Sequence, residues 1–135
     1  MKHTLIVLLA LCFAGCGKRE EVRKKLTSEE TAEVIEKAIR KNIKKPTGEL
    51  TEADLEKVDK LNLSGIQISD AGLKEVAKLQ QLERLLLVDT QITDKGLKEL
   101  AKLERLILLQ LNYTKVTKAG IMELHKSLPK CTFSR

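Results

Sequence analysis

The sequence predicts an α/β fold in which three strand–helix units stack in a row, beginning at Leu61 and continuing toward the end of the chain. Apolar residues recur there at a spacing of 24 residues, as at Leu61, Leu85 and Leu109. Further columns keep the same spacing: Gly72, Gly96 and Gly120; Leu73, Leu97 and Ile121; Val76, Leu100 and Leu124. Self-similarity at a fixed period of this size indicates a solenoid, in which each unit buries its apolar face against the next.

The middle unit shows how one repeat is built. Its first half alternates apolar and other residues, as a strand with one buried face requires, at Leu82, Leu85 and Leu87. Thr93 or Asp94 can then cap a helix, because their side-chain oxygens accept hydrogen bonds from free amides. Apolar residues follow at helical spacing at Leu97, Leu100, Ala101 and Leu103. Each unit is therefore predicted to be one strand followed by one short helix.

The segment Leu82-x-x-Leu85-x-Leu87-x-x-Thr90-x-Ile92, followed by Asp-x-Gly-Leu, resembles the bacterial leucine-rich repeat. The resemblance implies a short solenoid with parallel strands on the concave side, helices on the convex side and a helical N-terminal cap. The asparagine or cysteine usual in this family is replaced by Thr90, Thr114 and Ile66. A threonine hydroxyl can bond turn backbone and Ile66 cannot, so a continuous side-chain ladder is not expected at the start of the stack.

The N-terminal residues have the pattern of a secretory signal. A charged start precedes an apolar run from Leu5 to Ala14, which is too short to span a bilayer comfortably. Phe13-Ala14-Gly15-Cys16 resembles the bacterial lipobox, which implies that Cys16 is lipidated and that the protein is exported to the cell envelope. Residues 1–15 are then the signal peptide and residues 16–26 a basic, lipid-anchored linker. An ordinary cleaved signal or an uncleaved anchor remains the alternative.

Residues 27–60 are predicted to form the helical cap and the lead-in to the first strand. Thr27 and Glu30 have the spacing of a capping box, and apolar residues follow at Val34, Ile35, Ala38, Ile39 and Ile43. Thr51 and Asp54 open a second, shorter helix. The arrangement resembles the N-terminal cap of bacterial leucine-rich-repeat proteins, whose physical role is to cover the open apolar side of the first repeat.

Residues 61–135 hold the three repeats and a terminal edge strand. Leu128-x-x-Cys131-x-Phe133 repeats the strand frame two residues earlier than the period predicts. Pro129 suits an edge strand. Cys131 is predicted to be a small buried apolar residue, with a reactive or metal-binding thiol as the sharper alternative.

Composition and motifs indicate a protein without catalytic residues, cofactor or metal. No metal-binding, phosphate-loop or nucleophile motif is present in the sequence, and His125 is the only histidine after the signal. Aromatic residues make up 2% of the chain, too few for base-stacking platforms on nucleic acid. The net charge of +6 comes from bases interleaved with acids, which is typical of a solvated surface.

The strand face opposite the buried leucines, which we call the open sheet face, is the predicted protein-binding site. By alternation it carries Lys60, Asn62, Ser64, Arg84, Leu86, Val88, Leu108, Gln110 and Asn112. Leu86, Val88 and Leu108 are expected to form an uncovered apolar cluster, which suggests an unidentified protein partner or coverage by self-association. The alternatives are a structural envelope lipoprotein that uses its basic linker and, with fold resemblance alone behind it, a ubiquitin-ligase-like substrate adaptor.

Overall fold

The computed structural model describes residues 26–135 as a row of strand–helix units behind an N-terminal helix. The strands are β1 (Lys60–Asn62), β2 (Arg84–Leu86), β3 (Leu108–Gln110) and β4 (Thr132–Ser134). The helices are α1 (Ser28–Ile43), α2 (Glu52–Leu55), α3 (Leu73–Val76), α4 (Asp94–Leu100) and α5 (Lys118–Ser127), and a 3₁₀ turn over Asp70–Gly72 precedes α3.

The four strands form one parallel sheet in the order β1-β2-β3-β4. Leu61 aligns with Leu85, Leu85 with Leu109, and Leu109 with Phe133, so the sequence period is also the register of the sheet. Helices α3, α4 and α5 connect or follow the strands and pack side by side. The predicted α/β leucine-rich-repeat solenoid with parallel strands is confirmed.

The core is a stack of aliphatic layers that runs through all the repeats. Leu61, Leu85 and Leu109 are at most 1% exposed, and the column two residues further along each strand is fully buried. The helices close each layer from the other side with Leu73, Leu97, Val76, Leu100 and Leu124. Burying such a side chain contributes roughly 1.5–3 kcal/mol, so the leucine columns supply most of the drive for stacking.

Helix α1 covers the first repeat. The predicted capping box is confirmed: Glu30 N donates to Thr27 Oγ1 over 3.2 Å, and Thr27 N donates to Glu30 Oε2 over 2.8 Å. Of the apolar residues predicted for this helix, Ile35 and Ile39 are buried in the shared core, together with Thr31. The helix ends at Ile43, and the next residue, Lys44, has a left-handed backbone.

The connection from α1 to β1 is organised around Asp54. The carboxylate of Asp54 accepts hydrogen bonds from Lys45 Nζ at 2.5 Å and from Thr51 Oγ1 at 2.9 Å. Thr51 and Asp54 also form a capping box at the start of α2, the predicted second helix. These hydrogen bonds hold the pKa of Asp54 well below its usual range, and the bond from Lys45 has the largest effect on it. Because Lys45 also donates to Glu49 O, the loop between the two helices is held from both sides.

Aspartates at the helix starts join one repeat to the next. Asp70 accepts from Thr93 N and Thr93 Oγ1, both at 2.7 Å, and Asp94 accepts from Thr117 N at 2.8 Å and Thr117 Oγ1 at 2.6 Å. The bonds from Thr117 lower the pKa of Asp94. Thr93 itself caps α4 through Lys95 N, so the cap is Thr93 and Asp94 serves the following repeat. We call these contacts the Asp–Thr clips.

The glycine columns make room for the clips. A Cβ on Gly96 would lie 2.6 Å from Asp70 Oδ1 and 2.7 Å from Leu73 Cδ1, closer than real Cβ contacts allow. Gly120 is crowded in the same way by Asp94, and Gly72 by the methyl group of Thr31.

The threonines predicted to bond turn backbone do so within their own repeat, from Thr90 to Leu87 O and from Thr114 to Leu111 O. These two threonine hydroxyls therefore do not join neighbouring repeats, whereas the aspartates Asp70 and Asp94 do.

The register of β4 corrects the frame predicted for the end of the chain. Thr132 N donates to Ile107 O, and Ser134 O accepts from Leu111 N, which places Phe133 beside Leu109 at the full period. The predicted shift of two residues is wrong, because these backbone bonds decide the register. Cys131 lies just before the strand, is buried as predicted, and has its pKa raised to about 11 by burial.

The predicted signal (residues 1–15), the lipidation site Cys16 and nearly all of the predicted linker lie outside the residues that the structure describes. Between residues 26 and 135, no helix is long and apolar enough to cross a bilayer.

Candidate protein-binding face

The parallel register sorts the side chains of the open sheet face into rows. One row runs through Lys60, Arg84, Leu108 and Thr132, and the next through Asn62, Leu86, Gln110 and Ser134. Ser64, Val88 and Asn112 follow their strands by two residues in a third position. Neighbouring strands lie about 4.8 Å apart, so each row is a continuous line of side chains across the repeats.

The predicted apolar cluster is arranged diagonally. Leu86 has Gln110 as its neighbour in the row, and Leu108 has Arg84, so the two leucines are not directly opposite one another. Leu86, Val88 and Leu108 are each partly exposed. The face therefore presents a short apolar diagonal bordered by a guanidinium group and an amide, with a polar β1 strand to one side.

Ser64 contributes less to the surface than simple alternation predicts. Its hydroxyl oxygen is buried and has no hydrogen-bond partner in the structure, and the same is true of the amide of Gln67. Asn62 turns back to its own strand end, where Asn62 Oδ1 accepts from Ser64 N at 3.0 Å. The exposed polar groups of the first strand are thus Lys60 and Asn62.

Strand β4 adds residues to the face that the sequence reading missed. Thr132 and Ser134 extend the two rows, and Ser134 Oγ donates to Asn112 Oδ1 at 3.2 Å. The missed signal is the period itself, since Thr132 and Ser134 follow Leu108 and Gln110 by one full repeat. The predicted alignment, which placed Cys131 two residues too early, did not align Thr132 with Leu108 or Ser134 with Gln110.

Tyr113 directly follows Asn112, a residue of the open sheet face, and was also missed. It occupies the column of Gly65 and Asp89, and all three have a left-handed backbone, with φ of 58°, 74° and 56° respectively. That conformation is unusual for a bulky residue. The Tyr113 side chain is 84% exposed. Tyrosine is enriched at protein interfaces, where its ring supplies apolar contact and its hydroxyl a hydrogen bond.

The groups considered for chemistry lie apart from this face. His125 is exposed on α5, and its ring meets the edge of Phe133 at a centroid distance of 5.7 Å. A cleft of about 110 Å³ lies between α4 and α5, and a larger, more open hollow of about 630 Å³ lies beside Ile121 and Met122 on α5. Over residues 26–135, no group of three or more histidine, cysteine, aspartate or glutamate side chains could hold a metal ion.

Comparison with known proteins finds similarity at the level of structure. The chain matches no protein-family model and no curated protein. It is similar in structure to a leucine-rich-repeat protein of Leptospira interrogans, with 24% sequence identity and a TM-score of 0.45. The similarity covers 64% of this chain and 28% of that protein, so this chain spans well under half of its length.

Proposed function

We propose that this protein is a non-enzymatic, lipid-anchored leucine-rich-repeat module that binds a protein partner at the cell envelope through its open sheet face. The observation that carries the proposal is the set of aligned rows in the sheet register. They put the apolar diagonal of Leu86 and Leu108 between Arg84 and Gln110. Tyr113, whose side chain is 84% exposed, directly follows Asn112 of the same face. An apolar centre with a polar border is the usual composition of a protein contact.

The partner can be trapped before it is known. A photo-crosslinking residue in place of Tyr113, in the full chain expressed in its own cells, should yield a discrete adduct that mass spectrometry can identify. The same residue in place of Lys98, on exposed helix surface away from the face, is the matched control. The same adduct at both positions would contradict the proposed face.

The identified partner then permits a binding test. Leu86→Asp together with Leu108→Asp should weaken binding about 100-fold, because charge in the centre of an interface removes its main contacts. Circular dichroism should show the native fold, since both side chains point away from the core. Lys98→Asp should bind like the unchanged protein. Unaltered binding by the double variant would exclude the open sheet face as the site.

The anchoring part of the proposal rests on the resemblance of Phe13–Cys16 to the lipobox. Native protein extracted in detergent should have the mass of residues 16–135 plus acyl chains, and a Cys16→Ser version should lack the acyl mass. Two or three acyl chains would hold the protein firmly, because each buried methylene contributes about 0.8 kcal/mol. An unmodified chain beginning at Met1 would remove the anchor and reopen the adaptor hypothesis.

A structural envelope role is the second candidate, and the surface of α1 favours it. Lys37 and Lys41 are exposed on α1 and Lys44 directly after it, and no acidic side chain within residues 26–135 pairs with them. Near an anionic lipid surface each base adds about 1 kcal/mol. If this role dominates, changing these lysines to Gln should reduce cosedimentation with phosphatidylserine vesicles, and Leu86→Asp should not.

A further inference from the structure

Two basic side chains lie next to each other on the open sheet face. Lys60 and Arg84 are aligned in the register of β1 and β2, so their backbones are about 4.8 Å apart. Both side chains are exposed, and the residues that follow them, Leu61 and Leu85, are buried. We call Lys60 and Arg84 the basic pair. Like charges set directly opposite one another destabilise a sheet, so the stability of the fold does not account for this arrangement.

No acidic group of the face balances the basic pair. Every other position of the open sheet face carries an uncharged side chain. Among residues 26–135, no side chain forms an ion pair with either base. Asp59 and Glu83 directly precede the two bases in the chain, but the carboxylate of Glu83 faces Arg105 at 3.6 Å. Because burying an unpaired charge is costly, a partner that covers this face needs negative charge opposite the basic pair.

The strand register sets the distance from the basic pair to the apolar diagonal. Leu108 is the next residue in the row of Arg84, and Leu86 follows Arg84 by two residues in β2. With strands about 4.8 Å apart and a rise of about 3.3 Å per residue, each leucine lies about 7 Å from the midpoint of the basic pair. Residues i and i+2 of an extended chain are separated by about the same distance and point to the same side.

We propose, building on the proposed function, that the partner presents an extended segment with an aspartate or glutamate two positions from an apolar residue. The carboxylate lies between Lys60 and Arg84, where the planar guanidinium can donate two parallel hydrogen bonds to it. The apolar side chain lies on Leu86 and Leu108. An anionic lipid surface is a poorer match, because lipid-binding clusters usually carry about four to eight bases.

Selection from a random peptide library displayed on phage, with the full chain in detergent as the target, tests the proposal. Peptides eluted from the unchanged protein should be enriched in an acidic residue two positions from an apolar one. Lys60→Gln with Arg84→Gln should select apolar peptides without enrichment in acids. Lys74→Gln with Lys98→Gln is the matched control, because it removes the same charge, at the same 24-residue spacing, from exposed helix positions. It should select the same peptides as the unchanged protein.

Fluorescence anisotropy with one enriched peptide measures the size of the effect. Neutralising the basic pair should weaken its binding about tenfold or more, and so should replacing the peptide's acid by the corresponding amide. The two changes together should weaken binding little further, because they remove one and the same contact. Binding to the unchanged protein should also weaken as salt is raised, since salt screens the attraction.

The outcomes separate this proposal from the proposed function. Enriched peptides that lack acids, or an acidic peptide that binds the neutralised protein equally well, would overturn the proposal and leave the open sheet face as the binding site. Peptides that bind Leu86→Asp with Leu108→Asp undiminished, or a library without any binder, would count against the face and the proposal together. If neutralising the basic pair reduced only cosedimentation with phosphatidylserine vesicles, the bases would serve a lipid surface and the proposal would be wrong.

Discussion

The two ends of the solenoid solve the same packing problem differently. At the N-terminal end, α1 lays Thr31 and Ile35 against Gly72, where a preceding repeat would place the carboxylate of its aspartate. At the C-terminal end the aspartate column holds Lys118, and Ile121 remains partly exposed. Helix α1 therefore covers the apolar side of the first repeat, whereas Ile121 of the last described repeat stays partly exposed.

This difference shows which contacts make a repeat stable. A repeat in the middle receives an aspartate from one neighbour and a leucine layer from both, so its stability comes from the interfaces between repeats. Helix α1 replaces both contacts for the first repeat. The methyl group of Thr31 lies where an aspartate carboxylate would, and Ile35 and Ile39 take the place of the leucine layer. We expect mutations at the N-terminal end to cost more than their counterparts at the C-terminal end.

The largest effect is expected from truncating the cap core. Ile35→Ala removes a side chain that is 1% exposed and should lower the free energy of unfolding by about 3 kcal/mol. Ile121→Ala at the other end should cost about 1 kcal/mol, because that side chain is already partly in water. Urea unfolding followed by circular dichroism measures both. Equal losses would mean that the two ends are equally covered.

The next effect concerns the glycine column. Gly72→Ala should destabilise the protein by about 1–3 kcal/mol through overpacking against Thr31, although alanine is the better helix former. Adding Thr31→Ser removes the methyl group and should recover most of the loss. Gly96→Ala meets a carboxylate and a buried leucine instead, so Thr31→Ser should not help it. Thermal melts of the four variants decide the matter.

The clip between Asp94 and Thr117 should make stability depend on pH. The folded pKa of Asp94 lies below its ordinary value of 3.8, so its contribution is present above that pH and is lost as pH falls through the folded pKa. Asp94→Asn should cost about 1 kcal/mol at pH 7 and less at pH 3. Urea midpoints at the two pH values test this. A larger loss at pH 3 would contradict the sign.

The smallest effect is expected where the aspartate column ends. Lys118→Asp restores the residue of the earlier repeats, but no following threonine is present among the described residues to complete a clip. Only the favourable charge at the start of α5 remains, so the free energy of unfolding should change by about 0.5 kcal/mol or less. A gain comparable to the loss in Asp94→Asn would show that the introduced carboxylate finds another partner.

Much of the fold could be predicted from the sequence, because apolar residues that recur at one spacing define every repeat. The leucine columns, the capping box of α1, the short second helix and the burial of Cys131 follow from local patterns, and the structure confirms them. The open sheet face was predictable by alternation, although Thr132, Ser134 and Tyr113 were missed. The predicted alignment of β4 was wrong, because it followed the apolar residues Leu128 and Cys131 and departed from the 24-residue period that the structure keeps.

The contacts between repeats could not be predicted from the sequence of a single repeat. Thr93 and Asp94 are adjacent, and both suit a helix cap, so their sequence does not show which one reaches the next repeat. The stacking distance decides it, since only the first residue of the helix faces the following threonine. The diagonal placement of Leu86 and Leu108 likewise depends on which residues the strand register sets side by side.

The sequence by itself determined the repeat, its strand and helix halves, and the side of each that is buried, because period and apolar pattern are local properties of the chain. The tertiary structure decided how the two ends differ, which groups join neighbouring repeats, and which side chains share a row on the open sheet face. Those relations join residues 22 or more positions apart, and they exist only once the repeats have stacked.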